Sequence, residues 1–487
     1  MGFVGRDTEL GALRAEFEQA GQGEGGRFAW VQGRRRVGKS RLVQELCSRL
    51  EAPYAFYQAP QRGGGAAIAA FVDAVAQSTL PAAPAFEGAS FESWPAAFRA
   101  AVQGIDPARP AILVIDELPY LAEADRGFAA DLQHAWDRVL ENTPLLLACI
   151  GSDVRMMESL VGARAPLHGR PTLELRVAPL NPAEVAGLTS APDAPTAFDH
   201  YLIVGGFPQL AASWPKGVGV RAFLRKSLAH DQTLFAATAL RIMASEFPRE
   251  LQAKDVIEAI GHGEASYSRI QGRSGVRGNT LNDALDLLVE QKRLVRRELP
   301  YAIPSGKKAP RYTVADPYLR FWLRFVGPHM DELSRGRPDL VLGRIERDWP
   351  VYRGRAIEPL VRGSIERLLA DPSLSERLGG ARHVGAWWRR DHSVEVDLVG
   401  GDRPDPGAIG FIGSVKWRER GSFSAKDLAE LARQRVQVPG AEGAKLLAVS
   451  RSGFDEGLSA DATFGPDELL AAWEKSSIDR VFDNGQS

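Results

Sequence analysis

The apolar positions of the chain come in two rhythms, and each predicts a different kind of element. Residues 27–32 (RFAWVQ) form a short apolar run, and Arg41 to Leu50 then repeats apolar residues at helical spacing. A strand, a turn and a helix are expected there in that order. Ala111-Ile112-Leu113-Val114-Ile115 and Leu145-Leu146-Leu147-Ala148-Cys149-Ile150 are apolar without alternation, as strands covered on both faces of a parallel sheet are. Further on, Ser266 to Gly272 begins one helix, and Thr280 to Leu294 aligns Leu281, Ala284, Leu285, Leu287 and Leu288 on a second. Two strand-like stretches come next, Val295 to Leu299 and Arg311 to Val314. The last third predicts a helix bearing Gly354 and Glu358, then strands at Trp387-Trp388, Val394 to Val399 and Ile409 to Trp417. An amphipathic helix from Ser424 to Val436 and a strand at Leu446 to Val449 complete it.

At 487 residues this pattern exceeds one hydrophobic core, so two to four domains are expected. No apolar run reaches the roughly 18 residues that span a bilayer. The first residues lack a signal-peptide core, and Arg6 stands where a myristoylation signal needs Ser or Thr. Cys47 and Cys149 both lie in apolar surroundings, which predicts buried thiols rather than a disulfide. A cytoplasmic protein without membrane contact is expected. The net charge of −1 is unevenly spread: residues 1–220 hold 19 Lys and Arg against 24 Asp and Glu, a balance of −5. Residues 261–330 hold 12 against 6, a balance of +6, which points to an anionic partner such as duplex DNA or to a solvated basic face. The histidines, including His262, His383 and His392, show no metal-ligand spacing.

The expected turn after residue 32 reads Gly33, Arg34, Arg35, Arg36, Val37, Gly38, Lys39, Ser40, followed by Arg41. That is GxxxxGK[ST] between a strand and a helix. Glycines let successive N–H groups face a phosphate chain, and the helix N-terminus adds its dipole. Lys39 is expected on the β- and γ-phosphates of ATP, with the Ser40 hydroxyl on Mg²⁺. The plainer reading is a glycine turn with a solvated lysine. A second feature weighs against it: the apolar run 111–115 ends in Asp116-Glu117, carboxylates at the C-terminal end of a parallel strand, where such folds bind ligands. Asp116 is expected to hold the metal and Glu117 to polarise the attacking water. The third strand ends in Gly151-Ser152, and Ser152 is the candidate polar group between the carboxylates and the γ-phosphate. Arg164 and Arg170 are candidate cations for the transition state, in cis or in trans, with ordinary surface arginines as the alternative.

Several stretches then resemble one family. Phe3-Val4-Gly5-Arg6 with Glu9-Leu10 resembles the opening of AAA+/STAND ATPases, where this stretch lies near the adenine, implying nucleotide contacts by Val4, Gly5 and Arg6. Ile150 to Arg170 is similar to the matching region of the archaeal-type ATPases of archaea and bacteria. Leu202 to Pro208 resembles the glycine–proline signature of the STAND lid, which implies that Pro208 touches the base. The implied architecture is α/β: a P-loop NTPase with a parallel sheet and flanking helices (1–180), a helical lid (181–245), a winged helix (246–335) and an α/β PD-(D/E)XK-nuclease-like domain (336–487). Winged helices can read duplex DNA or serve as packing modules. Lys307-Lys308 would form a basic wing loop.

In active nucleases of that last kind, an Asp and the Glu of E-x-K bind Mg²⁺ beside a Lys. Asp397 and Lys416 match that pattern, but Ser414 stands where the Glu belongs. A hydroxyl cannot replace a carboxylate for a hard cation. Glu358 or Glu395 remain open as substitutes, and the expectation is a degenerate site with the fold retained. The functional readings are an ATP-driven switch, an ATP-regulated DNA nuclease, and a nucleotide-gated DNA-binding regulator, with self-assembly as a further expectation.

Overall fold

The computed structural model describes residues 3–61, 63–247, 249–263, 265–301, 309–391, 393–403 and 408–474. Lys307-Lys308 and His392 lie outside the described residues. The chain divides into two compact units, Met1–Leu180 and Asn181–Ser476.

The first unit is built on five strands: β1 (Arg27–Gln32), β2 (Tyr54–Gln58), β3 (Ala111–Asp116), β4 (Leu145–Gly151) and β5 (Leu173–Arg176). They pair in parallel in the order β2-β3-β4-β1-β5. Every residue of β3 and β4 is buried, as their unbroken apolar runs require. The two-residue period of a strand divides these side chains between two cores. Phe28, Trp30, Leu113, Ile115, Leu147 and Cys149 face one side, where Phe71, Trp94 and Phe98 cover them. Ala29, Val31, Ile112, Val114, Leu146 and Ile150 face the other, beneath Leu13, Leu42, Val43 and Cys47. The two cysteines are therefore free and buried on opposite faces of one sheet. Burial pushes the Cys47 thiol up to about 12 and raises that of Cys149 as well. Both behave as small apolar residues.

The second unit opens with the helices Pro182–Thr189, Ala194–Val204, Pro208–Ala212, Val220–Ser227 and Leu234–Glu246. Leu251–Gly261, Tyr267–Ser274 and Gly278–Asp286 succeed them, and then the antiparallel hairpin of β6 (Val295–Glu298) and β7 (Arg311–Val314). The single helix expected over 280–294 is interrupted. From Leu287 to Gln291 the backbone takes a π turn, and the Lys292 N–H donates to the Leu287 carbonyl before Arg293 leaves at a positive φ of 51°. The long helices Pro338–Ala356 and Glu358–Leu368 lead to a mixed sheet of β8 (His383–Trp388), β9 (Glu395–Gly401), β10 (Ile409–Lys416), β11 (Lys445–Ser450) and β12 (Ala462–Phe464). Its order is β12-β11-β10-β9-β8. The pairs β8/β9 and β9/β10 are antiparallel, whereas β10/β11 and β11/β12 are parallel. The helix Ala425–Arg435 crosses between β10 and β11, and Ser424 caps it in a reciprocal box with Asp427. Among the described residues no helix is long and apolar enough to cross a membrane.

One buried ion cluster joins distant segments of this unit. Asp199 Oδ2, in the helix Ala194–Val204, accepts from Arg353 at 3.3 Å and from Arg451 at 3.2 Å. Arg353, with only 2% of its side chain exposed, also donates to Glu419 at 2.9 Å. Removing one partner of such a cluster strands the remaining charge in a poor solvent. Asp199→Ala should therefore destabilise the protein by about 3–5 kcal/mol. The check is the midpoint of urea unfolding followed by tryptophan fluorescence, where an unchanged midpoint contradicts it.

Candidate functional site

At the C-terminal edge of the first sheet the chain turns from β1 into the helix Lys39–Leu50 through Gly33 to Gly38. Gly33 is dictated by a close approach, since a Cβ there would lie 2.3 Å from the Val177 carbonyl oxygen. Arg36 and Gly38 both take positive φ, 68° and 95°, which curls the loop over the helix N-terminus. The Lys39 ammonium is buried inside this curl and donates to the Gly33 carbonyl at 2.7 Å and the Arg34 carbonyl at 3.0 Å. Burial holds its pKa down at about 8, against the pull of the Glu117 and Asp116 carboxylates and with a smaller lowering contribution from Arg35.

Asp116, the last residue of β3, is buried and accepts from the Ser40 hydroxyl and from the Glu117 N–H at 2.9 Å. Burial raises its pKa, opposed by those two donors. Glu117 begins the next turn at a left-handed φ of 54°, and its Oε2 accepts from the Ser152 hydroxyl at 2.9 Å. Ser152 comes directly after Gly151, where a Cβ would collide with Met157 Sδ at 2.3 Å. Lys39, Ser40, Asp116, Glu117 and Ser152 thus converge from three adjacent strand ends. The Ser40–Asp116 pair, a hydroxyl on a carboxylate beside the phosphate loop, suits a hard cation that shares its shell with phosphate oxygens and water.

The other expected residues are placed less uniformly. Val4 is partly exposed, Gly5 has a φ of 72°, and Arg6 is left-handed at 69° with its guanidinium buried. Arg6 pairs with Glu9 at 2.8 Å and donates to the carbonyls of Val37 and Ala178, so it braces the phosphate loop from beneath. Val37 is buried in the core, Arg34 is half-buried, and Arg36 is half-buried as well. Arg35 donates to the Tyr120 hydroxyl at 2.6 Å, and exposed Arg41 pairs with Glu45. Arg164 is exposed on the connection before β5.

Arg170 lies toward the end of the sheet away from the phosphate loop. Its guanidinium is fixed on both Asp137 oxygens at 2.9 Å, two residues before Thr172, which bonds to Phe28 at the N-terminal end of β1. Gly33 lies five residues along the strand direction, about 16 Å away by strand rise. Pro208 belongs to the second unit, where it opens the helix Pro208–Ala212 after Gly205 turns at a φ of 60°.

The second unit gathers another set of charges. Asp397 on β9 accepts at Oδ2 from the Ser414 hydroxyl at 3.1 Å and from the Val415 N–H at 2.8 Å, both on β10. Glu358 heads its helix with burial and the nearby Asp397 pushing its pKa up to about 8. Burial likewise raises that of Asp397, against the Val415 N–H and Lys416. Arg362, one turn after Glu358, lies 3.8 Å from it and donates to the Asp397 carbonyl at 3.3 Å. Glu395 is occupied differently, held by Arg311 of β7. A divalent cation does not fit this set. Ser414 supplies no charge, Asp397 Oδ2 already has two donors, and a guanidinium stands beside Glu358. Among the described residues no three His, Cys, Asp or Glu side chains are placed to hold a metal. Arg362 was legible only as an i,i+4 partner of Glu358, a spacing too common on helix surfaces to single it out.

Comparison with known proteins divides along the chain. Residues 2–148 match the AAA ATPase domain, and residues 322–430 match a family described as archaea bacterial proteins of unknown function. An uncharacterized protein of Methanocaldococcus jannaschii is 24% identical over 423 residues, covering 86% of this chain and 88% of its own. Among solved structures, a Walker-type ATPase of Pyrococcus abyssi is 17% identical with a TM-score of 0.47, covering 66% of this chain and 96% of its own. The ORC2 protein of Aeropyrum pernix, solved with ADPNP and ADP, is 15% identical with a TM-score of 0.46, covering 70% and 95%.

The raised Glu358 carboxyl carries a pH signature. Between the ordinary value of 4.5 and about 8, the folded state binds a proton that the unfolded state has released. Stability therefore falls as pH rises through that window. Glu358→Gln lacks the proton, so its stability relative to the parent should increase steadily from the acidic to the alkaline side. Parallel denaturation curves across the window check this, and a pH-independent difference contradicts it.

Proposed function

We propose that this chain, whose residues 2–148 are an AAA ATPase domain, binds Mg-ATP at the Gly33–Ser40 loop and works as a nucleotide-driven switch. The observation that carries the reading is the convergence of Lys39, Ser40, Asp116, Glu117 and Ser152 on one sheet edge. In this reading the Lys39 ammonium exchanges the Gly33 and Arg34 carbonyls for the β- and γ-phosphate oxygens. Ser40 and Asp116 would hold Mg²⁺, which supplies charge neutralisation on the phosphates. Glu117 orients the attacking water and accepts its proton, and the Ser152 hydroxyl keeps the Glu117 carboxylate turned toward the γ-phosphate side. Arg6 acts indirectly, by fixing the Val37 carbonyl and with it the loop. Residues 181–245 are read as the lid, with Pro208 as its contact to the base, and 246–335 as a winged helix. A switch of this type moves its lid between nucleotide states and so repositions the domains attached to the lid.

A second reading, duplex DNA binding, is supported by the exposed Arg269, Arg273 and Arg277 around the helix Tyr267–Ser274, with Arg296 and Arg297 exposed on β6. Its mark would be affinity that falls steeply with salt.

Lys39→Ala should lose ATP affinity by a few kcal/mol, the worth of a charge-assisted phosphate contact in a closed site. Titration calorimetry on the folded variant tests this, and parental affinity would overturn the site. Glu117→Gln keeps the shape of the side chain and loses its basicity. It should bind Mg-ATP as the parent does and turn over about 10²–10⁴ times more slowly. Steady-state phosphate release at the parental rate would move the base elsewhere.

A further inference from the structure

We propose that Arg362 is a built-in cation of the Glu358–Asp397 site, held there by Glu298, and that it excludes divalent metal while the β6–β7 hairpin is in place. Each carboxylate that could ligate a metal here already has a partner supplied by the chain. Arg362 Nη1 lies 3.8 Å from Glu358 Oε2 and donates to the Asp397 carbonyl at 3.3 Å. Its Nη2 is turned the other way, onto Glu298 of β6, at 3.2 and 3.4 Å from the two oxygens. Only 11% of the Arg362 side chain is exposed. The guanidinium is therefore fixed at both ends, and a metal ion drawn to Glu358 would meet like charge at contact range.

The hairpin that carries Glu298 is itself anchored to the mixed sheet. Tyr301, just beyond β6, donates its N–H to the Ala386 carbonyl at 2.8 Å and its hydroxyl to the Arg403 carbonyl. Its ring lies where Gly385 has no side chain, since a Cβ there would come within 2.8 Å. On the other strand, Arg311 stacks over Trp388 at 4.4 Å and holds Glu395 with both nitrogens. The Trp388 indole donates to the Ala309 carbonyl at 2.9 Å. The hairpin thus contributes one ion pair to the sheet, Arg311 on Glu395, and one to the helix Glu358–Leu368, Glu298 on Arg362; the first occupies a carboxylate and the second fixes a cation beside Glu358. Freeing Glu298 loosens Arg362, and the guanidinium is then no longer fixed between Glu358 and the Asp397 carbonyl.

The experiment uses the full chain without nucleotide, with Lys39→Ala and Asp116→Ala silencing the first site, and Mn²⁺ as the probe in calorimetry and spin-resonance titration. The background protein and a Ser414→Glu variant that keeps Arg362 are expected to show no saturable Mn²⁺ site. Arg362→Gln should gain one site, at least about tenfold tighter than any residual binding, because the like charge is gone. Glu298→Gln, at a partly exposed position, should gain it more weakly, and Asp397→Asn added to either should abolish it. Far- and near-ultraviolet circular dichroism identifies the variants that retain the fold. Mn²⁺ bound by the background through Asp397, a site gained by Ser414→Glu with Arg362 intact, or no gain in either folded variant would each overturn the proposal.

Discussion

A parallel sheet buried on both faces has nowhere along its length to present a charge. In β3 and β4 every side chain is enclosed, so polar chemistry can appear only where the strands stop. Parallel pairing requires the chain to return to the starting edge before each strand, which places all the stops on one side. The order β3-β4-β1 then sets three of them about 5 Å apart from neighbour to neighbour. From β3 come Asp116 and Glu117, from β4 Gly151 and Ser152, and from β1 the loop beginning at Gly33. The site is a consequence of how the apolar residues are buried, and the loop geometry refines it.

That refinement depends on close backbone approach. Gly33 under the Val177 carbonyl and Gly151 against Met157 leave no space for a Cβ, so the chain reverses next to the strand ends instead of a turn further on. The buried Arg6 guanidinium performs the matching task from below, joining the N-terminal turn, the loop at Val37 and the segment after β5 at Ala178.

Continuous apolar runs made β1, β3 and β4 legible in the sequence, and with them the carboxylates that end β3. The edge strands β2 and β5 were not, because Tyr54–Gln58 and Leu173–Arg176 are short and keep exposed residues among buried ones. The position of Arg170, paired with Asp137, was not legible for a related reason. Its nearness to Ser152 in sequence says nothing about strand direction, and β5 starts at the far edge of the sheet. In the second unit the strands β6 to β11 and the helix Ala425–Arg435 lie where their apolar patterns predict them. The partners of Arg362 and Glu395 could not be read in this way, because Glu298 is 64 residues from one and Arg311 is 84 from the other.

The two charged sites differ in whether the protein neutralises its own groups. At the phosphate loop the Lys39 ammonium is satisfied by two carbonyl dipoles, and burial weakens its hold on its proton. A full negative charge of matching geometry is the better partner, and the exchange from dipole to phosphate favours binding. In the second unit each acid already faces a donor or a guanidinium, so an arriving ion must displace an interaction of comparable strength. Burying such pairs costs desolvation that their attraction only partly returns. Their retention in place of apolar residues ties β7 to the mixed sheet and β6 to the helix Glu358–Leu368. Any force that moved the hairpin would therefore have to break the Glu298–Arg362 and Arg311–Glu395 pairs together.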